Sequence, residues 1–319
     1  GAVSSDSNDP SVFTKDPNLH LSFYGMCYTP LNAQYPACGD TIDSVIEDIQ
    51  LISQLTTRLR LYGSDCDVTS LVLEAIQKTK VNMTIYPAAW LPQQSDDPQN
   101  VTYNRQVSEV QKAIETYGVD NIQGITVGNE FLLNGGSEAE LIEKMADMRS
   151  LLASLNLSKT LPVGTADAGS MITTSLAQGS DYVMANVHPW FGGVNIDDAA
   201  DWVYSYTANQ EPSSALDATN DPKIYIAETG WPTNANESSM LTYEGAVAGV
   251  PELQTFLDNY ICQANTNITN GGQFSSYFYF EAFDEPWKEI YGGVEPYWGL
   301  FNSNKTLKAG LVIPNCASP

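Results

Sequence analysis

The sequence predicts one α/β domain built as a closed (β/α)8 TIM barrel, with its active site at the C-terminal ends of the strands. Three observations carry this expectation. Eight compact runs of β-branched, aromatic and aliphatic residues alternate with segments of helical periodicity along the chain. Two acidic motifs, Gly128-Asn129-Glu130 and Glu228-Thr229-Gly230-Trp231-Pro232, each follow a short apolar run that reads as a buried strand. The 319 residues show no composition break that would mark a second domain. An open doubly wound sheet would bring a Gly-rich phosphate loop after its first strand. Gly25-Met26-Cys27-Tyr28-Thr29-Pro30 is not G-x-G-x-x-G.

In chain order the expected strands are Leu21–Tyr24, Arg58–Tyr62, Asn82–Tyr86, Gly124–Val127, Leu161–Thr165, Tyr182–Asn186, Lys223–Ala227 and Ser276–Phe280. Between the first two, Ile42, Val45, Ile46, Ile49 and Ile52 share one helical face after Asp40, the expected N-cap. Val107, Val110, Ile114 and Tyr117 form a second such face. Ser137-Glu138-Ala139-Glu140 is a capping-box pattern that leads into Leu141, Met145, Met148 and Leu152. Strands separated by helices imply parallel pairing through right-handed crossovers. The catalytic barrel is expected over residues 19–319, after a polar, loosely ordered arm over residues 1–18.

Net charge is −24, from 38 acidic against 14 basic residues, and no run supplies the basic stripe that a nucleic acid backbone needs. Nucleic acid is therefore excluded as a partner. No stretch of 18 apolar residues is present to span a bilayer, and Gly1 to Pro10 lack a signal-peptide core, as expected of a mature or trimmed chain. The cysteines Cys27, Cys38, Cys66, Cys262 and Cys316 contain no C-x-x-C, and only His20 and His188 could join them, so neither a metal nor a cofactor is expected. Asn-x-Ser/Thr acceptors, acidity and cysteines together favour a secreted, extracellular or cell-wall glycoprotein with two disulfides and one leftover thiol. A monomer is expected.

In a barrel, the loops after the strands form the active face. There the sequence places Tyr24 and Tyr28, then Tyr62, Ser64 and Asp65, then Tyr86 and Trp90, and next Asn129-Glu130. Asn186, His188 and Trp190 follow the sixth strand, Glu228 and Trp231 the seventh, and Glu281, Asp284, Glu285, Trp287 and Lys288 the eighth. Such a mouth is acidic and aromatic. Pyranose rings offer apolar C–H faces to aromatic side chains and hydroxyls to carboxylates, so a sugar polymer is the substrate class that fits, with Trp190 and Trp231 the expected platforms. Glu130 and Glu228 each end an apolar strand, where a charge is costly unless it faces a polar cavity. Cleaving an acetal needs one carboxyl that stays protonated and one that stays ionised, and different surroundings can hold the two apart.

Val127-Gly128-Asn129-Glu130, Tyr225-Ile226-Ala227-Glu228-Thr229-Gly230-Trp231-Pro232-Thr233 and Phe280-Glu281-Ala282-Phe283-Asp284-Glu285-Pro286-Trp287-Lys288 resemble glycoside hydrolase family 17. The nearer resemblance is to its fungal cell-wall β-1,3-glucanase and β-1,3-glucanosyltransferase branch. Leu59-Arg60-Leu61-Tyr62 and Trp298-Gly299-Leu300-Phe301 fit the same pattern, so the resemblance runs from Leu21 to Cys316. It implies a retaining β-1,3-glucan hydrolase with transglycosylase capacity, in which Glu130 is the acid/base and Glu228 the nucleophile. It also implies that Asn129 binds the sugar 2-hydroxyl, that Glu285 and Lys288 support the nucleophile and its sugar, and that Tyr62 forms the cleft floor. Substrate contacts are further expected at Tyr24, Asn186, His188, Trp190 and Trp231. The same resemblance pairs Cys38 with Cys66 and Cys262 with Cys316, leaving Cys27 a buried free thiol. The competing readings are a non-catalytic glucan-binding wall protein, which would usually have lost a catalytic carboxylate, and a retaining glycosidase for another β-glucan.

Overall fold

The computed structural model describes residues 5–6 and 9–319. Nine parallel strands form one sheet in the order Thr84–Tyr86, Arg58–Arg60, Gly25–Cys27, Tyr277–Tyr279, Lys223–Thr229, Tyr182–Asn186, Val163–Ala168, Ile125–Asn129 and Ala88–Ala89. The first and last members of this order are neighbours in the chain, separated only by Pro87. The sheet is therefore a nearly closed barrel. Proline has no N–H to give to a ladder, so the third expected strand, Asn82–Tyr86, stops before it and a separate short strand, Ala88–Ala89, follows. Thr84–Tyr86 pairs back to Arg58–Arg60, Ala88–Ala89 pairs forward to Ile125–Asn129, and the Pro87 carbonyl accepts the Thr126 N–H at 2.9 Å.

The first strand corrects the sequence reading. Leu21 is exposed, Phe23 makes only an isolated bridge to Thr56, and regular pairing begins at Gly25. The reason is steric: a Cβ on residue 25 would stand 2.6 Å from the Phe278 ring, so pairing in register requires glycine. Helices lie between the strands as expected. Ile42–Ile52 buries Val45, Ile49 and Ile52, and Thr41, not Asp40, is its N-cap, accepting the Ser44 N–H at 3.2 Å. Val101–Tyr117 buries Val110 and Ile114. Ser137 caps Glu138–Ser154, which turns Leu141, Met145, Met148 and Leu152 inward. Each such side chain contributes about 1.5–3 kcal/mol by leaving water.

Aromatic rings plug the interior of the barrel. Tyr86 meets Tyr182, Tyr225 and Phe278 edge to face at 5.2, 5.6 and 5.7 Å. Their hydroxyls are satisfied within the plug, Tyr86 with Tyr225 at 2.5 Å and Thr126 with Tyr182 at 2.7 Å. Buried phenols without partners would cost more than these pairs do. Beyond the plug, at the C-terminal ends of the strands, a cleft opens.

At the N-terminus Asp9–Phe13 pairs antiparallel with Ser5–Asp6, while residues 1–4 and 7–8 of the expected arm lie outside the described residues. Among the described residues no helix is long and apolar enough to cross a membrane. Disulfides join Cys38 to Cys66 and Cys262 to Cys316, and Cys27 is free and buried. The second ties the last helix, Val250–Thr269, to the C-terminal tail across 54 residues. Chain-entropy arguments put its contribution at about 4 kcal/mol. Replacing both Cys262 and Cys316 with serine is expected to lower the unfolding free energy by about 2–4 kcal/mol in a denaturant titration, with the m-value showing whether the denatured state has also expanded.

Candidate active site

Gly128 and Glu130 both take left-handed backbone angles, φ 76° and φ 57°, at the end of their strand. Glycine adopts this freely, whereas a glutamate there is strained. The kinked strand end is held by the Glu130 N–H to Ala166 O at 3.0 Å and by Asp167, a buried carboxylate that accepts the Leu132 and Leu133 N–H groups at 2.9 and 3.2 Å. Asn129 and Glu130 consequently both line the cleft. The second acidic motif has its own steric requirement. A Cβ on residue 230 would run into the Phe280 carbonyl, so Gly230 lets the segment after Glu228 pass against the neighbouring strand.

Glu228 is 6% exposed and held by three donors. Arg60 Nη1 and the Tyr62 hydroxyl donate to Oε2 at 2.7 and 2.6 Å, and His188 Nε2 donates to Oε1 at 2.8 Å. Arg60 also donates from Nη2 to Asn129 Oδ1 at 2.8 Å and from Nη1 to Tyr62 at 2.7 Å. Asn186 Nδ2 bridges Asn129 Oδ1 and Glu130 Oε1 at 3.1 and 3.2 Å. A continuous chain of contacts thus runs from Glu228 through Arg60, Asn129 and Asn186 to Glu130.

These surroundings drive the two carboxyls apart. For Glu228, burial would raise the pKa, but the His188 hydrogen bond, the Arg60 charge and the Tyr62 hydroxyl overcome it and hold the group well below the usual carboxylate range. For Glu130, burial and then the Glu228 charge push the pKa up, opposed by Asn186. One group is held ionised and the other is disposed to keep its proton.

The cleft above them has a volume of about 690 Å³. Tyr62, His188, Glu285 and Lys288 line it, as do the exposed rings of Tyr35, Trp90, Phe191 and Tyr291. Glu285 Oε2 pairs with Lys288 Nζ at 2.8 Å, and the Trp287 indole donates to Glu285 Oε1 at 3.1 Å. Burial opposes ionisation of Glu285, but the Lys288 charge and these hydrogen bonds hold its pKa down.

Three expected substrate contacts are corrected. Tyr24 precedes the first strand, stacks under the Arg58 guanidinium at 4.0 Å and donates its backbone N–H to the Tyr277 hydroxyl at 3.2 Å, at the end of the barrel away from the cleft. Trp190 and Trp231 are 3% and 0% exposed and pack edge to face on each other at 5.6 Å. The Trp231 indole is spent on Val247 O at 2.8 Å, so neither ring is a platform. His188 holds the Glu228 carboxylate, boxed by Phe191, Phe280 and Trp298, and its Nδ1 is buried without a hydrogen-bond partner among the described residues. Arg60 has no role among the expectations from sequence, although a charged side chain between Leu59 and Leu61 in a core strand needs a buried partner, which is the signal that points to it. Asp167 gives no comparable signal.

A family model described as the BtgE/BtgC glycoside hydrolase domain matches residues 25–299. A btgC protein of Aspergillus niger is 38% identical over 336 residues, covering 99% of this chain and 47% of its own length. Glucan endo-1,3-beta-glucosidase btgC of Emericella nidulans is 33% identical, covering 99% of this chain and 50% of its own. The chain thus spans about half the length of the curated relatives it matches. Among solved structures, a glycoside hydrolase family 17 beta-1,3-glucanosyltransferase from Rhizomucor miehei superposes with TM-score 0.74 at 27% identity, over 92% of this chain and 99% of its own. An active-site mutant of that enzyme, in complex with laminaritriose, matches at the same TM-score with 26% identity over the same shares.

Replacing Arg60 with methionine leaves the Glu228 carboxylate buried without its cation and is expected to cost about 3–5 kcal/mol at neutral pH. Tyr62→Phe, which removes one hydrogen bond to a charge, is expected to cost about 1.5–3 kcal/mol. Urea titrations measure both. Because the folded pKa of Glu228 is depressed, its stabilisation is complete above the unfolded glutamate pKa and is lost as pH falls towards the folded value. Glu228→Gln is therefore expected to flatten the acid side of the melting-temperature profile.

Proposed function

The chain belongs to the BtgE/BtgC glycoside hydrolase family, and on that premise we propose that it is a retaining β-1,3-glucan hydrolase that also transfers glucan chains. The observation that carries the proposal is the divergence of the two carboxyls: Glu228 held ionised by Arg60, Tyr62 and His188, and Glu130 raised by burial beside it. The substrate class is supported by the beta-1,3-glucan activities named for its relatives and by the laminaritriose bound to its structural neighbour. Residues 19–319 form the catalytic unit in this reading.

Glu130 protonates the glycosidic oxygen while Glu228 attacks the anomeric carbon, so the C–O bond breaks and a covalent glycosyl-Glu228 forms. Oε2 of Glu228 is occupied by two donors and Oε1 by one, which leaves Oε1 the freer nucleophile. Ionised Glu130 then takes a proton from the incoming oxygen, which displaces Glu228. Water gives hydrolysis, and a sugar hydroxyl gives transfer. Asn129, fixed by Arg60 and Asn186, receives the 2-hydroxyl beside the nucleophile. Glu285, Lys288 and Tyr62 orient the reacting sugar, and the exposed Trp90 and Tyr35 take the place expected of the buried tryptophans as ring platforms. The disulfides and the fungal relatives support an extracellular or cell-wall location.

Incubation with laminari-oligosaccharides is expected to give both shorter and longer products. Shorter products alone at high substrate would remove transfer from the proposal, and no turnover of laminarin would remove the activity. Glu228→Gln is expected to lower kcat by about 10⁴-fold or more. Glu130→Ala is expected to retain cleavage of an activated aryl glycoside and to be rescued by azide as a β-glycosyl azide, because deglycosylation then needs no base. In the wild type, kcat/KM falls as pH rises through the raised pKa of Glu130, which must be protonated. Its acid limb lies low because Glu228 stays ionised.

A further inference from the structure

Behind the cleft wall stands a carboxyl with no part in the reaction scheme. Glu281 follows the last strand and is 1% exposed. Its N–H donates to Trp298 O at 3.2 Å and its carbonyl accepts the Leu300 N–H at 3.0 Å, so its backbone is pinned on both sides. The side chain lies within hydrogen-bonding reach of the Glu285 carboxyl, and its Oε2 is buried without a partner among the described residues.

We infer that Glu281 is a positioning acid: its carboxyl carries a proton and donates it to Glu285, fixing Glu285 as the ionised partner of Lys288 at the cleft. Two carboxylates are both acceptors only, so a hydrogen bond between them requires one proton. A charge count gives the same result. The titratable groups facing Glu281 are Asp284, Glu285 and Lys288 from its own segment, Tyr279 from its strand, Cys27 from the first strand and Lys308 from the C-terminal segment. Lys308 is bonded to Asp284 at 2.7 Å and Lys288 to Glu285 at 2.8 Å, which leaves Glu281 the one of these carboxyls with no cation in salt-bridge contact among the described residues. Burial, and next the charge of Glu285, raise its pKa accordingly, and the Lys288 charge opposes the shift without reversing it. The proton is shared by the pair, with Glu281 as its holder.

Without this donor Glu285 would keep only Lys288 and the Trp287 indole, and Lys288 would lose the fixed anion that holds it at the cleft. Glu281 does not line the cleft, so its influence reaches the sugar through Glu285. That consequence for turnover rests on the proposed glucan chemistry, whereas the protonation state does not.

Glu281→Gln keeps the shape and a donor but cannot ionise; Glu281→Leu removes the donor. At neutral pH the infrared difference between wild type and E281Q is expected to show a protonated-carboxyl C=O band belonging to the wild type. A raised folded pKa means that wild-type stability declines as pH rises from the unfolded glutamate pKa towards the folded one. The melting temperature of E281Q should therefore gain on that of the wild type as pH increases. On laminarin, E281Q is expected to keep kcat/KM within about threefold, and E281L to lose about tenfold or more, as for a lost hydrogen bond to a charged group. Absence of the band, a melting difference independent of pH, or equal loss in E281Q and E281L would each overturn the inference. An inactive wild type would instead count against the glucan reading and leave the spectral and thermal results to decide the role of Glu281.

Discussion

The Arg60 guanidinium is the interaction on which the centre of this molecule depends. It is 1% exposed, and a buried cation of this kind is tolerated where its charge is paired: both terminal nitrogens are bonded, and only Nε has no partner among the described residues. Its planar fork reaches Glu228, Tyr62 and Asn129 at once, spanning the barrel from the second strand to the ends of the strands that carry the two acidic motifs. Those strands come from distant parts of the sequence. Closure of the sheet through Pro87 and the aromatic plug below bring their ends to one face, and Arg60 fixes the relative positions of the groups found there.

From that fixed point the two glutamates acquire opposite characters. Glu228 receives a cation and two further donors, so burial fails to neutralise it. Among the described residues Glu130 receives one side-chain donor, the Asn186 amide, and feels the charge of Glu228, so the same burial raises it. The left-handed conformation of Glu130 belongs to this arrangement. Its strain is compensated by the backbone bond to Ala166 and by the Asp167 carboxylate, which gathers the N–H groups of the turn that follows. The two carboxyls thus stand at strand ends held by these bonds, with the exposed rings of Tyr35, Trp90 and Tyr291 lining the cleft.

Much of this is legible in the sequence because strand ends carry it. A carboxylate closing an apolar run has no stable place except a polar cavity, and that argument located both Glu130 and Glu228. The unread parts depend on directions in space. Leu21–Tyr24 has strand composition, yet pairing starts at Gly25 because only there can the backbone approach Phe278, a contact from the far end of the chain. Trp190 and Trp231 follow polar strand-end motifs, but beyond a strand end the period-two rule lapses, and their rings turn into each other. Trp90, after a strand broken by proline, turns outward instead. Arg60 was visible as a charge between two leucines, and its identity as the partner of Glu228 needed the barrel.

The central claim is that Glu228, ionised by Arg60, forms the covalent link to the sugar. A 2-deoxy-2-fluoro-laminaribiosyl fluoride slows the breakdown of such a link more than its formation, and peptide mass spectrometry after digestion locates it. The account predicts one label per chain, on the peptide carrying Glu228, released when a laminari-oligosaccharide acceptor is added. A label on a different carboxylate, or turnover that inverts the anomeric centre with no label at all, would contradict it.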